Sequence, residues 1–208
     1  MRVFNSPVFA PSLGFGGNGD YIAPTKEQNI LNLTGGTGGG CVEDGPFVPP
    51  KFMLNFPDGT KDCLRRDFMP WIMNTFADPK LVEEVLAQPD YTSFARTVEK
   101  VPTFNVSNIH GSGHFGVGGV LGTIGNAANS PGEPLFFLHH GNMDHVFWKW
   151  QQKDLKTRLN QVGGPVVPLK YGGENVTLDF QVNMGRLAGN VTLKNLLNTE
   201  GGTLCYAY

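Results

Sequence analysis

Long apolar runs, basic clusters and closely spaced cysteines are all missing from this 208-residue chain. No segment approaches the roughly 18 apolar residues that a membrane-spanning helix needs, so we expect no membrane partner. A balance of 16 Lys and Arg against 18 Asp and Glu, with no basic run, argues against nucleic acid. The three cysteines lack Cys-x-x-Cys spacing, which predicts one disulfide and one free thiol without fixing the pairing.

The composition favours one globular domain over residues 1–208, with 40% hydrophobic residues. The 28 glycines and 15 prolines predict extensive irregular backbone around a small helical centre. The fold class expected from these patterns is mainly α with irregular loops and a few short strands. Helices are predicted at about Leu64–Phe76, Pro79–Gln88, Tyr91–Val98 and Pro134–Leu155, and extended pieces at Asn175–Val182 and Val191–Leu196.

All five histidines lie between positions 110 and 145. His110 and His114 are four residues apart, so a helix would place both imidazoles on one face. His140 follows in a second helical pattern that is rich in aromatic residues. Imidazole is the commonest protein ligand for copper and zinc, and three such ligands leave one coordination position open for chemistry. The pattern therefore predicts a metal site.

The helical periodicity also separates the two adjacent histidines. At 100° per residue, His140 points inward, His139 lies a quarter turn away, and His145 points towards solvent. The face shared with His140 carries Phe136, Phe137, Met143, Asp144 and Phe147. The segment around His110 is a poor helix by propensity, because each glycine costs up to about 1 kcal/mol relative to alanine, so packing or metal must stabilise it.

These residues resemble a known family. His110-x-x-x-His114, then Pro134-x-Phe136-Phe137-Leu138-His139-His140-x-Asn142-x-Asp144, is similar to the second copper half-site of tyrosinases, catechol oxidases and molluscan haemocyanins. The resemblance implies copper as the cofactor, His110, His114 and His140 as metal ligands and catalytic residues, Asp144 as a residue that orients the helix by pairing with arginine, and Phe115 at the border of the substrate site. It also implies half of a tyrosinase-like four-helix bundle.

The resemblance extends along most of the chain. The glycine-rich segments 14–19 and 38–47 and the segment 63–67 are similar to loops of secreted fungal members, and the end at Tyr206-Ala207-Tyr208 is similar to a motif that closes their catalytic domain. Two positions depart from the pattern, with Gly111 in place of the usual asparagine and His145 in place of the usual arginine. Both departures argue against hydroxylation of monophenols.

A third departure is larger, because no histidine precedes position 110 and the first copper half-site is therefore missing. In the family, each of two coppers contributes one electron to dioxygen, so a single copper cannot supply both. Three explanations stay open: the first half lies outside this sequence or on another chain, the protein is a natural one-copper protein, or it binds metal without catalysis. The missing half also predicts a second chain or self-association, or cover of the site by the helices of segment 64–98.

The function expected from the resemblance is oxidation of phenols or o-diphenols by dioxygen, weak in this chain alone. One alternative is a secreted mononuclear copper-binding protein with little or no oxidase activity. A zinc hydrolase is the other, and it would need Glu99 or Glu133 as general base.

The compartment is indicated by four N-glycosylation sequons, at Asn32, Asn105, Asn175 and Asn190. No signal-peptide pattern follows Met1. The sequons and the resemblance together predict a secreted glycoprotein.

Overall fold

The computed structural model describes residues 5–56, 58–101 and 107–208, and helices dominate its regular structure, as the sequence predicts. The six α-helices are α1 Pro70–Phe76, α2 Pro79–Leu86, α3 Tyr91–Glu99, α4 Ile109–Gly118, α5 Leu135–Gln152 and α6 Leu155–Arg158. The strands form three antiparallel pairs, β1 Gly19–Tyr21 with β2 Gly39–Val42, β3 Leu54–Asn55 with β4 Lys61–Asp62, and β5 Gln181–Val182 with β6 Val191–Thr192.

The chain divides into two compact units. The first comprises the described residues 5–81 and 107–142, and the second comprises 82–101 and 143–208. The expectation of a single domain over the whole chain stays a prediction. Among the described residues, no helix is long and apolar enough to cross a membrane.

The first helix is shorter than predicted. Residues before Pro70 pair instead with the glycine-rich segment 38–47. The amide of Gly39 donates to the carbonyl of Arg66 (2.7 Å), and the amide of Val42 donates to the carbonyl of Leu64 (2.8 Å). A disulfide between Cys41 and Cys63 fastens the same two segments, and Cys205 is the free thiol. Helix α1 can begin only at Pro70, whose missing N–H suits a first helical position.

The core of the first unit forms where α1 packs on α4. Leu33, Met69 and Ile72 are buried there, and Phe115 packs against them. Helix α4 has three glycines in its first eight residues, and close packing explains why it forms nonetheless. A side chain at Gly116 would collide with Met73 of α1. Asn108 caps the helix by accepting a hydrogen bond from the Gly111 amide (2.6 Å).

The second unit has its own aromatic core. Trp150 is fully buried and donates from Nε1 to the carbonyl of Gln88 (2.8 Å). Phe94 and Phe147 pack on its ring, and the Arg158 guanidinium lies 4.2 Å from the ring centroid. The two extended pieces predicted in this unit are shorter than expected. Strand β5 covers only Gln181–Val182, and β6 ends at Thr192 because residues from Leu193 to Leu196 form a 3-10 helix.

Candidate metal centre

Three imidazoles from the two histidine-bearing helices converge in the first unit. His110 and His114 lie on α4 and His140 lies on α5. The Nε2 atom of His114 is 3.0 Å from Nε2 of His110 and 3.1 Å from Nε2 of His140. The structure thus brings together the three histidines that the sequence singles out.

The two separations from His114 fit a shared metal ion. Two nitrogens bound to one tetrahedral ion at about 2.0–2.1 Å lie about 3.3 Å apart. The two observed separations of 3.0 and 3.1 Å are close to that value. Without an ion, the single lone pair of His114 Nε2 would have to accept hydrogens from both His110 and His140, so the donor set suits a cation better than a hydrogen-bond network. Three imidazole ligands also leave one coordination position free.

The tautomer of His114 is set by its second nitrogen. Nδ1 lies 2.8 Å from the carbonyl oxygen of Ile124, which can only accept, so Nδ1 carries the hydrogen. The hydroxyl of Ser130 donates to the same carbonyl (2.8 Å) and lies 3.1 Å from Nδ1. The lone pair of Nε2 therefore points towards His110 and His140, as a metal ligand requires.

His139 is a fourth imidazole beside the other three. Its Nε2 donates to the backbone carbonyl of His110 (2.9 Å), and its ring lies parallel to the His110 ring, with centroids 5.7 Å apart. It rests on Gly113, where any side chain would collide with it. The sequence analysis missed this role, because Gly113 and His139 lie on different helices and no local spacing relates them.

His139 also competes with His140 as a possible third ligand. One nitrogen each from His110, His114 and His139 lie within 4.8 Å of one another. The contacts favour His140 as the ligand, because Nε2 of His139 is already bound to a carbonyl, whereas Nε2 of His140 faces His114.

Burial keeps these imidazoles neutral. Burial lowers the pKa of His110 to about 4, helped by repulsion from His114 and His140. Burial likewise lowers the pKa of His139 to about 3, helped by repulsion from its imidazole neighbours. The pKa values of His114 and His140 are also lowered, chiefly by burial. Neutral imidazole is the form that binds metals, so the cluster needs no deprotonation near neutral pH.

The aromatic face beside His140 is only partly covered. The ring of Phe136 lies 4.1 Å from the His140 ring between centroids. Phe137, expected on the inward face, is instead 64% exposed, and Leu138 is 53% exposed. The helical-wheel expectation was wrong for Phe137, because it lies two residues, or about 200°, round the helix from the buried Leu135.

Asp144 lies in the second unit and pairs with tyrosines rather than with the arginine that the family resemblance implied. It accepts hydrogen bonds from the hydroxyls of Tyr206 (2.5 Å) and Tyr208 (2.6 Å). Among the described residues, no arginine lies within ion-pair distance of it. The Tyr208 ring stacks on His145 with centroids 4.4 Å apart, so His145 is half-buried and the expectation that it faces solvent was wrong.

The remaining candidates have other contacts. Phe115 packs against the core of the first unit, as an ordinary core residue does. Its predicted place beside the substrate stays a prediction. Glu133 is fully buried and holds Arg66 through both carboxylate oxygens, at 2.9 Å each, which makes it unsuitable as a general base. Glu99 lies in the second unit and lines a cavity of about 310 Å³ together with Arg96 and Tyr171, and no imidazole lines that cavity.

Comparisons with known proteins agree on one family. Residues 3–153 match the common central domain of tyrosinase, a family that binds copper in general. The tyrosinase ustQ of Aspergillus flavus is 30% identical over all of this chain and 53% of its own length. The N-acetyl-6-hydroxytryptophan oxidase ivoB of Emericella nidulans is 28% identical over 99% of this chain and 65% of its own.

A solved structure extends the similarity to the fold. A mutant polyphenol oxidase from Thermothelomyces thermophila superposes with a TM-score of 0.82 at 28% identity, covering all of this chain and 62% of that one. The chain spans about half the length of several fungal relatives that it matches. Because the family match covers well over half of its residues, this chain belongs to the tyrosinase family.

Proposed function

We propose that this chain is a copper-binding part of a phenol oxidoreductase and holds one copper through His110, His114 and His140. The observation that supports this best is the convergence of their Nε2 atoms at 3.0 and 3.1 Å around His114. Copper is preferred to zinc because of the family match, since a donor set of three imidazoles suits either ion.

The chain's own residues prepare the site for the metal. The carbonyl of Ile124 fixes the tautomer of His114, and His139 holds the α4 backbone at His110. The neutral state of all four imidazoles means that no proton has to leave before an ion enters. When bound, copper would supply electron transfer to dioxygen and a position for a phenolate oxygen.

The proposed reaction is oxidation of o-diphenols to quinones by dioxygen. One relative is named a polyphenol oxidase, and another is named an oxidase of N-acetyl-6-hydroxytryptophan, which carries one phenolic hydroxyl. Reducing dioxygen takes more than the one electron that a single copper gives. Full activity therefore requires a second copper, bound either by further sequence outside these 208 residues or by another chain. Gly111, where active tyrosinases have asparagine, argues against monophenols as substrates.

Oxygen uptake tests the proposed activity. The copper-loaded chain should oxidise a catechol far more slowly than a two-copper relative and should not consume oxygen with a monophenol. The metal-free chain and the His140→Ala variant are the controls for oxygen uptake that is due to free copper. Robust uptake with a monophenol, by a chain shown to hold one copper, would contradict the proposal.

Two alternatives remain distinct from this function. A secreted copper-binding protein without oxidase activity would bind one copper equally well and fail the oxygen test with every phenol. A zinc hydrolase is disfavoured, because the buried carboxylate of Glu133 is paired with Arg66 and therefore cannot serve as the general base.

We also propose that the protein is secreted and that it associates. The fungal relatives and the Cys41–Cys63 disulfide are consistent with an oxidising, extracellular setting. The exposed Phe137 and Leu138 offer an apolar surface for a second chain or a second copy. Sedimentation at micromolar concentration tests the association, and a strictly monomeric chain that binds no hydrophobic dye would contradict it.

A further inference from the structure

Three glycosylation sequons fall within the described residues, and the metal site uses none of them. They are Asn32-Leu33-Thr34, Asn175-Val176-Thr177 and Asn190-Val191-Thr192, whereas the fourth, at Asn105, lies outside the described residues. All three asparagine side chains are exposed. None makes a hydrogen bond within the part of the chain that the structure describes, so each amide is available to carry a sugar.

The backbone of the first sequon is engaged in the folded protein. The Asn29 side chain accepts a hydrogen bond from the Leu33 amide (2.8 Å) and donates to the Leu33 carbonyl (2.7 Å). The Thr34 carbonyl accepts from Nε1 of Trp71 (2.6 Å), and the Leu33 side chain is buried. The tripeptide is therefore a fixed part of the first unit, although the side chain of Asn32 faces solvent.

The two sequons of the second unit have the same arrangement. The amide of Val176 donates to the carbonyl of Gly164 (2.9 Å). Val191–Thr192 forms strand β6 and pairs with β5. An enzyme that must grip the tripeptide as a free, extended segment could not bind it in the folded chain without breaking these hydrogen bonds.

We propose that Asn32, Asn175 and Asn190 are N-glycosylated, and that the sugars are added before these segments fold. In each transfer, an Nδ2–H bond breaks and Nδ2 bonds to the anomeric carbon of an oligosaccharide on a lipid diphosphate. The carbon–oxygen bond to the diphosphate breaks, and the diphosphate leaves with the electron pair while a base takes the proton. The inference rests on the secretory route proposed above and is independent of the metal site.

The threonines of the sequons provide a matched experiment. Their hydroxyls make no hydrogen bond within the described residues, so Thr→Ala removes the acceptor motif without removing a native contact. The full chain, secreted from a yeast host behind a cleavable leader, would be analysed by intact mass and by peptide mapping after enzymatic removal of N-glycans. Thr34→Ala, Thr177→Ala and Thr192→Ala should each lose one glycan, and the Thr→Ser variant at each position should keep it.

The order of glycosylation and folding has its own readout. The folded, sugar-free chain should accept no glycan from an oligosaccharyltransferase and a lipid-linked donor, whereas the reduced and unfolded chain should accept glycans at these asparagines. Equal transfer to both forms would overturn the proposed order, and a secreted protein without glycans at these positions would overturn the proposal itself. Copper stoichiometry, measured on the same samples, separates either failure from a failure of the proposed function.

Discussion

His139 shows how a residue beside a metal site can act without touching the metal. Its Nε2 holds the carbonyl of His110, and its ring fills the space above Gly113. Partners of this kind orient the ligands, and removing one typically weakens metal binding 10- to 100-fold. Loss of His139 should therefore weaken copper binding without abolishing it, unlike the loss of a ligand.

We predict that His139→Ala weakens copper binding about 10- to 100-fold but leaves about one copper per chain at saturation. Competition with a chelator of known affinity measures the change. His140→Ala is the matched variant and should abolish stoichiometric binding. The reverse ranking of the two variants would identify His139 as the third ligand.

Two helical glycines give opposite predictions from the same substitution. A methyl group at Gly113 would collide with the His139 ring, whereas nothing lies within 4 Å of the corresponding position at Gly141. Gly113→Ala should lower the free energy of unfolding by about 1–3 kcal/mol, as overpacking does, and weaken copper binding. Gly141→Ala should raise it by about 0.5–1 kcal/mol, because alanine favours the helix. Urea denaturation measures both, and equal effects would contradict the packing of His139 on Gly113.

Sequence periodicity predicted the three converging histidines but not their supports. His110 and His114 share a face by spacing alone, and the position of His140 on its helix follows from the same rule. The contact of His114 with Ile124 and the contact of His139 with a backbone carbonyl come from the path of the chain between the helices. No local sequence pattern encodes such contacts, so only the structure shows them.

At the scale of elements, two neighbouring residues hold the two histidine helices. Arg66 binds the Glu133 carboxylate and donates to the carbonyl of Gly16 (2.6 Å), and Glu133 also accepts a hydrogen bond from the amide of Leu135 at the start of α5. Asp67 accepts from the amide of Val120 (3.0 Å), just beyond the end of α4. The segment before α1 thus fixes the start of one helix and the end of the other.

Breaking the buried pair should be costly. Glu133→Gln leaves the Arg66 guanidinium buried without a counter-charge, so we expect a loss of about 3–5 kcal/mol in the free energy of unfolding. Asp62→Asn is the matched control, because Arg65 and Asp62 form a pair with side chains 34% and 40% exposed, and its loss should cost about 1 kcal/mol or less. Urea denaturation of the metal-free variants makes the comparison. Similar losses in both would show that Arg66 is not dependent on Glu133.

The same segment explains why one helix was overpredicted. A helix is predicted over Leu64–Phe76, where Leu64, Phe68 and Ile72 have helical spacing, but it begins only at Pro70. The disulfide and the pairing with the glycine-rich loop hold residues before Pro70 in extended backbone. Tertiary hydrogen bonds outweighed the local pattern there. The sequence predicted α2 and α3 to within two residues, because proline begins α2 and aspartate caps α3.

At the scale of the whole molecule, one histidine cluster combines neutral imidazoles with the close packing of His139 on Gly113 of α4. Among the described residues, the other group close enough to hold a metal contains Cys41 and Cys63, which are joined in a disulfide. The chain spans about half the length of several relatives, and the chemistry proposed for it is one metal centre with three histidine ligands.

Copper binding, followed by electron paramagnetic resonance, tests this central claim most directly. The chain loaded with Cu(II) should bind about one copper and give the signal of an isolated ion with nitrogen ligands, because all the proposed donors are imidazoles. His140→Ala should lose both the copper and the signal, whereas His145→Ala should keep them, because the His145 ring belongs to the second unit and stacks on Tyr208. Loss of copper from His145→Ala together with its retention by His140→Ala would contradict the account.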